Sequence, residues 1–190
     1  MKKFLQRYSY TMVKLFLNQF GIALFGIALA FSCDKAGNQK LLLATSIFSV
    51  LFYLFLQYAV MWEIGAKDGI SAAAQKTGRK LWRGLLIALG GNILNVIFAF
   101  MALPGAFDAK NPIGSAGKFL ALMFEGMYQG ILAMPIGEAR LHDFVWVYFV
   151  IIAPSLIVCS VAYILGSFDL HATNILIPKN ADVKNNGRPE

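Results

Sequence analysis

The sequence has few charged residues, few cysteines and no recognisable nucleotide-binding motif. Charged residues make up 14% of the 190 and hydrophobic residues 58%, whereas soluble domains average about 25% and about 45–50%. The two cysteines, Cys33 and Cys159, do not have CxxC spacing, so the sequence implies neither a disulfide framework nor a zinc site. There is no Walker-type loop and no dinucleotide fingerprint. These deficits argue against an ordinary soluble domain and against a disulfide-stabilised secreted one.

Long hydrophobic runs dominate what is present. Four runs of 19 or more residues are each long enough to cross the hydrocarbon core of a bilayer as a helix. We therefore predict an all-α membrane protein, with a single membrane domain over residues 1–168 and a polar cytoplasmic tail over 169–190. The predicted transmembrane spans cover residues 15–33, 41–62, 84–107 and 144–168.

A fifth apolar segment, residues 119–135, has 17 residues and contains Glu125 and Gln129. Because it is short and partly polar, we predict an amphipathic helix at the membrane surface or a re-entrant helix. If this segment does not cross the membrane, 12 of the 17 Lys and Arg residues lie inside and 5 lie outside. If it crosses, 10 of them lie inside and 7 lie outside. Cytoplasmic loops collect Lys and Arg. The count therefore favours four transmembrane helices in a plasma membrane, with both termini in the cytoplasm.

Residues 63–83 form the longest charged interval between hydrophobic runs. We predict a cytoplasmic loop that sets the orientation of the chain. Anionic lipid headgroups at the inner face are its candidate partners, at about 1 kcal/mol per basic residue; we favour a topogenic loop that binds nothing specific. The membrane also explains the net charge of +7, so we expect no nucleic-acid partner. The topogenic residues are Lys67, Lys76, Arg79, Lys80 and Arg83.

Five polar side chains within the apolar runs are candidates for a site: Gln57, Asn92, Asn95, Glu125 and Gln129. Amides at this depth must face protein or water, and they either join helices by hydrogen bonds or line a site for a solute or ion. Glu125 is the only acid inside an apolar run, and an intramembrane carboxylate is a functional candidate because charging it there costs several kcal/mol. Alternatively, the segment lies at the membrane surface and Glu125 faces water. We expect the surface location.

Patterns for catalysis or metal binding are weak. The sequence GSAG at 114–117 is one position out of register with the GxSG motif of rhomboid proteases, and neither His142 nor His171 lies in a hydrophobic run. The side chains of Glu138, His142 and Asp143 are spaced so that they could bind a metal ion. These residues are also explained as parts of a solvated hinge. We expect a non-enzymatic protein without a cofactor or metal.

Three short motifs flank the hydrophobic runs: WEIGAKD at 62–68, a GR–RG pair at 78–79 and 83–84, and YILGSFDL at 163–170. In these motifs the chain resembles small multi-pass membrane proteins of Gram-positive bacteria to which no activity is assigned. The resemblance implies a bacterial plasma membrane and a fold family, and it implies no function.

The sequence leaves two functions open. We expect the first, a non-enzymatic accessory or assembly subunit that contacts other membrane proteins or itself. The second is a small-solute transporter, or the substrate-binding membrane subunit of one, with the five intramembrane polar residues lining its site. A closed bundle with no polar cavity favours the first function, and a cavity that joins these residues favours the second.

Overall fold

The computed structural model describes residues 2–108 and 110–170. This part of the chain is predominantly α-helical, which agrees with the predicted all-α class; the predicted tail beyond residue 170, including His171, lies outside it. Two 3₁₀ turns, Gly126–Tyr128 and Leu141–Asp143, and an antiparallel pair of strands, β1 (Pro135–Ile136) and β2 (Ala139–Arg140), interrupt the helices. The helices are α1 (Lys2–Lys35), α2 (Gln39–Ala74), α3 (Arg83–Gly91), α4 (Ile93–Ala102), α5 (Pro104–Phe107), α6 (Pro112–Phe124), α7 (Gln129–Leu132), α8 (Val147–Val150) and α9 (Ala153–Ser167).

Three helical stretches are long and apolar enough to cross a membrane: α1, α2 and the stretch Val147–Ser167, which contains α8 and α9. A fourth candidate is the bent stretch from α3 to α5, if it is taken as one span. Helix α2 continues to Ala74, twelve residues past the predicted span, so only residues 75–82 of the predicted cytoplasmic loop lie outside a helix. The sequence after Glu63 is rich in alanine, a strong helix former, which favours this continuation.

The predicted span 84–107 is not one straight helix. Its axis turns by 61° between α3 and the following stretch, at Asn92. Gly90 and Gly91 come directly before the turn, and glycine pairs weaken a helix at such kinks. Adding a Cβ at Gly91 would bring it to 2.9 Å from the Leu15 side chain, so the glycines also let α3 pack closely on α1.

The helix predicted at 119–135 is also different in the structure. Helix α6 begins at Pro112, where Asn111 caps it by accepting hydrogen bonds from the amides of Ile113 and Gly114, at 3.0 and 3.1 Å. It ends at Phe124, and the backbone of the next residue, Glu125 (φ −109°, ψ 30°), leaves the helical region. The 3₁₀ turn and α7 follow, and Gly137 turns the β-hairpin at a φ of +65°. The sequence pattern therefore placed the helix too late, because the cap at Asn111 was taken as part of a loop.

Contacts between helices order the bundle along its length. Helix α1 runs antiparallel to α2, with Tyr8 against Asp68 at one end and Cys33 against Thr45 at the other. Helix α9 runs parallel to α2, since Tyr53 bonds Ser155 and Gly65 packs on Tyr163. The two ends of the bundle are therefore distinct. We call them the Asp68 end, where α1 and α3 begin and α2 and α9 finish, and the hairpin end, which carries β1 and β2.

Candidate functional site

The helical path of the chain breaks at Asn92, between α3 and α4, and at Glu125, after α6. These two breaks lie at similar depth in the bundle. Phe124, which precedes the break at Glu125, packs against Phe16 and Phe20 of α1. Gln19 of α1 reaches Glu125 itself. On α1, Gln19 is about 17 Å from Tyr8 at the Asp68 end and about 21 Å from Cys33 at the hairpin end. Gly91, beside the other break, packs on Leu15, one turn away from Gln19. Both breaks therefore lie near the middle of the bundle.

Glu125 is buried, with 2% of its surface exposed. The Gln19 amide donates a hydrogen bond of 3.0 Å to Oε1 and a longer one of 3.5 Å to the Phe124 carbonyl. Our expectation that Glu125 faces water at the membrane surface was therefore wrong. The physical reason is that the chain turns at Glu125 and the next residues pack inward: Gly126 lies against the Ala23 carbonyl and Met127 against Gly26.

Asn92 and Asn95 lie at the α3–α4 break, where they bond to each other and Asn92 bonds to α9. Asn95 Nδ2 donates to Asn92 Oδ1 at 3.3 Å, and Asn92 Nδ2 donates to Ser155 Oγ of α9 at 3.2 Å. The Tyr53 hydroxyl of α2 donates to the same Ser155 oxygen at 2.9 Å. Asn92 also donates to the Ala88 carbonyl at 3.0 Å, one turn earlier in α3. These bonds join the α3–α4 break to α2 and α9.

Two tyrosines lie between the Asn92 group and Glu125. Tyr53 donates to Ser155, the Tyr128 amide donates to the Glu125 carbonyl at 2.8 Å, and both side chains belong to one buried cluster. Together these residues form one buried polar group contributed by α1, α2, both helix breaks and α9. We call it the polar centre; it consists of Gln19, Tyr53, Asn92, Asn95, Glu125, Tyr128 and Ser155.

The polar centre has unused hydrogen-bonding capacity. Within residues 2–108 and 110–170, Glu125 Oε2, Gln19 Oε1, Asn95 Oδ1 and the Tyr128 hydroxyl are buried and have no hydrogen-bond partner. Native proteins pair most buried polar atoms, and each unpaired one costs about 1–3 kcal/mol. Three of the four are acceptor oxygens. Chemically, they suit a proton, a cation or the donor groups of a polar solute.

The other two predicted residues play different parts. Gln57 is fully buried next to this region and donates to the Leu15 carbonyl at 3.1 Å, which is a contact between helices. Gln129 is only half-buried and lines an open cavity of about 190 Å³ towards the hairpin end, beside Ala30 and Asp34. The structure therefore brings Glu125, Asn92 and Asn95 into the polar centre, keeps Gln57 close to it, and separates Gln129 from it.

The Asp68 end holds a second polar cluster that sequence reasoning missed. The Asp68 carboxylate, which is 8% exposed, accepts from Arg7 Nη2, from the Tyr8 hydroxyl and, at 2.7 Å, from the Tyr163 hydroxyl. Arg83 Nη1 lies 3.9 Å from the carboxylate and donates to Tyr8 at 3.3 Å. We call these five residues the Asp68 cluster. It joins α1, α2, α3 and α9.

The remaining predicted topogenic residues are more exposed. Lys67 pairs with Glu63 one turn earlier on α2, and Lys76 lies beyond its end with a φ of 51°. The Arg79 guanidinium lies 4.5 Å from the centre of the Phe168 ring. Thus Arg83 alone among the five belongs to the Asp68 cluster.

Replacing Asp68 with Asn should destabilise the protein. The amide keeps one acceptor oxygen but removes the charge that holds Arg7 and Arg83, so we expect a loss of about 1–3 kcal/mol in the free energy of unfolding. Glu63→Gln is the matched control, since it removes an exposed pair worth at most about 1 kcal/mol. Unfolding of the purified protein in mixed micelles measures both. An equal effect of the two substitutions would contradict the structural role of Asp68.

The weak catalytic and metal patterns do not assemble into a site in the described part of the chain. His142 Nδ1 lies 3.1 Å from the Leu132 carbonyl, and Asp143 accepts from the Arg140 amide at 2.8 Å. Within residues 2–108 and 110–170, no group of three His, Cys, Asp or Glu side chains is arranged to hold a metal ion. Comparison of the chain with protein-family models, with curated proteins and with solved structures found no match.

Proposed function

We propose that the protein is a small-solute transporter, or the membrane subunit of one, and that Glu125 is its ion-coupling group. One observation carries the proposal. Two helices from separate parts of the chain break at similar depth, at Asn92 and at Glu125, and the polar side chains at both breaks are buried inside an apolar bundle.

Broken helices have a specific use in membranes. Irregular backbone is tolerated at membrane depth only where it is covered by protein or lines a water-filled cavity. In many secondary transporters, the sites for substrate and coupling ion lie near the midplane at such discontinuous helices. The α3–α4 turn and the Glu125 break fit this arrangement, and the unpaired acceptor oxygens fit a bound ion or solute.

Glu125 is suited to ion coupling because of its surroundings. A carboxylate charged in an apolar interior costs several kcal/mol, whereas its protonated form or its complex with a cation does not carry that cost. Gln19 can donate to either form of the carboxyl group, and the hydroxyl of Tyr128, three residues along the chain, is buried without a hydrogen-bond partner in the described part of the chain. Binding and release of an ion at Glu125 would therefore change the charge at the centre of the bundle.

We also propose the orientation. In this arrangement the α3–α5 stretch is a bent fourth span, residues 112–132 form a re-entrant element, and the Asp68 end faces the bacterial cytoplasm with both termini. The distribution of cations supports it: the five topogenic residues and Lys2, Lys3, Arg7 and Lys14 belong to the Asp68 half. An excess of Lys and Arg at one side is typical of the cytoplasmic face.

The accessory or assembly subunit is the second candidate. The observation that favours it is close glycine packing inside the bundle, as at Gly126 on the Ala23 carbonyl and Gly130 on the Leu42 carbonyl. On this hypothesis the polar centre only joins helices. The two hypotheses differ in one physical respect: water reaches the polar centre of a transporter but never reaches that of an accessory subunit.

Thiol labelling tests this difference. In a variant without native cysteines, we expect Asn95→Cys to react with a small, water-soluble thiol reagent, because a transport site must open to water. The control retains Cys159, which is fully buried in the packed contact between helices and should not react. If Asn95→Cys is as unreactive as Cys159, the centre is closed and the accessory hypothesis replaces the transporter. Impermeant labelling of Asp108→Cys but not of Gln75→Cys in intact cells checks the orientation.

A further inference from the structure

A cavity of about 200 Å³ opens at the Asp68 end, away from the polar centre. Four cations line it: Arg7 from α1, Arg79 and Lys80 from the 75–82 loop, and Arg83 from the start of α3. Asp68 is its acid. Four separate segments of the chain thus converge on one concave, basic site, which we call the basic cavity.

The charges in the basic cavity do not cancel. Asp68 already accepts from Arg7 and two tyrosine hydroxyls, so its carboxylate is largely used inside the cluster. Arg79 is held by its contact with the Phe168 ring. Lys80 has no ion-pair partner in the described part of the chain. The geometry therefore leaves an excess of positive charge facing the cavity, with Asp68 holding Arg7 and Arg83 in place.

The position of the cavity in the bundle suggests the source of its ligand. Asp68 follows Trp62, the last residue of the predicted second span, by six residues of α2, which is about 9 Å along the helix. A point this far beyond the hydrocarbon edge lies at the level of lipid headgroups. Trp82, which is mostly exposed, and Leu81 lie beside the cavity, and aromatic residues favour this level of the membrane.

We propose that the basic cavity binds a phosphate group. Guanidinium groups bind phosphate oxygens through paired, charge-assisted hydrogen bonds, and a lysine adds a point charge. A water molecule takes about 30 Å³ of liquid volume, so the cavity has room for the four oxygens of a phosphate and part of its ester. The phosphate belongs to an anionic phospholipid or to a soluble phosphate compound. This inference does not depend on the transporter proposal, since it concerns the Asp68 end, whereas Glu125 lies near the middle of the bundle.

Binding is tested by thermal stabilisation of the detergent-purified protein. The ligands are short-chain phosphatidylglycerol, diacylglycerol with the same chains, glycerol phosphate and inorganic phosphate. We expect phosphatidylglycerol to stabilise the wild type and diacylglycerol not to do so. Stabilisation by phosphatidylglycerol alone identifies a lipid as the source, and stabilisation by the soluble compounds as well identifies phosphate itself.

The matched variants remove equal charge from the same part of the chain. Arg79→Gln with Lys80→Gln alters the cavity, and Lys67→Gln with Lys76→Gln alters cations that do not line it. We expect binding to weaken about tenfold or more in the first variant and to stay unchanged in the second. If the first variant does not fold, Lys80→Gln alone should weaken binding in the same direction. Equal weakening in both double variants, or no stabilisation by any phosphate compound, overturns the proposal.

Discussion

Gly166→Val is expected to lower the free energy of unfolding by roughly 3 kcal/mol or more, since overpacking a close backbone contact forces the helices apart. Gly166 of α9 faces α2, and a Cβ there would collide with the Trp62 carbonyl oxygen and come to 3.0 Å from the Ala66 amide nitrogen. On the other side of the same contact, Gly65 and Gly69 of α2 meet the carbonyls of Tyr163 and Ser167. The neighbours are backbone atoms of both helices, so no side chain can move aside to make room.

Gly21→Val provides the control for this prediction. Gly21 lies on α1 with nothing within 4 Å of the position its Cβ would occupy. A substitution there should change the free energy of unfolding by no more than about 0.5 kcal/mol. Unfolding in mixed micelles, together with the amount of protein found in membranes, measures both variants. If Gly166→Val is as stable as Gly21→Val, then α2 and α9 do not pack as the structure describes.

The long helices could be predicted from the sequence because their signal is local. An unbroken apolar run over 41–62 is explained by a helix in lipid, whatever its neighbours are, and α2 contains that run. The end of α2 was not predictable in the same way. Asp68 looks like an ordinary solvated charge in the sequence, and it is buried only because Arg7 and Tyr8 reach it from about sixty positions earlier in the chain.

The two helix breaks show the limit of periodicity. Hydrophobicity is continuous through residues 84–107, so the pattern predicted one helix, although Gly90-Gly91 was a visible signal for a kink. The turn places Asn92 against Ser155, a partner on α9 that no local pattern reveals. At Glu125 the segment was recognised as too short for an ordinary span, but its burial depends on packing against α1.

Part of the polar centre was predicted, because Asn92, Asn95 and Glu125 are conspicuous in apolar surroundings. Gln19 was equally visible, as a strongly polar residue within the first apolar run, and it was overlooked. Tyr53 and Ser155 carry weaker signals, since tyrosine and serine are ordinary residues of membrane helices. Their role follows only from the hydrogen bonds that join α2, α3 and α9.

Glu125→Gln is the second prediction with a large expected effect. The amide has nearly the same shape, and it can still accept the hydrogen bond from Gln19, so we expect the fold and its stability to be kept. The amide cannot exchange a proton or neutralise a cation. If Glu125 is the ion-coupling group, the substitution should therefore abolish ion movement while leaving the bundle intact.

Glu138→Gln is the matched control. Glu138 is exposed in the turn of the β-hairpin, so the same chemical change there removes a carboxylate that lies in water. Circular dichroism and size-exclusion elution should be the same for both variants and the wild type. A Glu125→Gln variant that fails to fold would instead assign Glu125 to the packing of the bundle.

The most direct measurement is proton uptake into proteoliposomes that contain a pH-sensitive dye, driven by an imposed membrane potential. We expect wild type and Glu138→Gln to take up protons at the same rate, and Glu125→Gln to take up none above protein-free liposomes, because its amide cannot exchange a proton. Uptake at the same rate in wild type and Glu125→Gln, or no uptake by the wild type above protein-free liposomes, would contradict the assignment of Glu125 as a proton-coupling group.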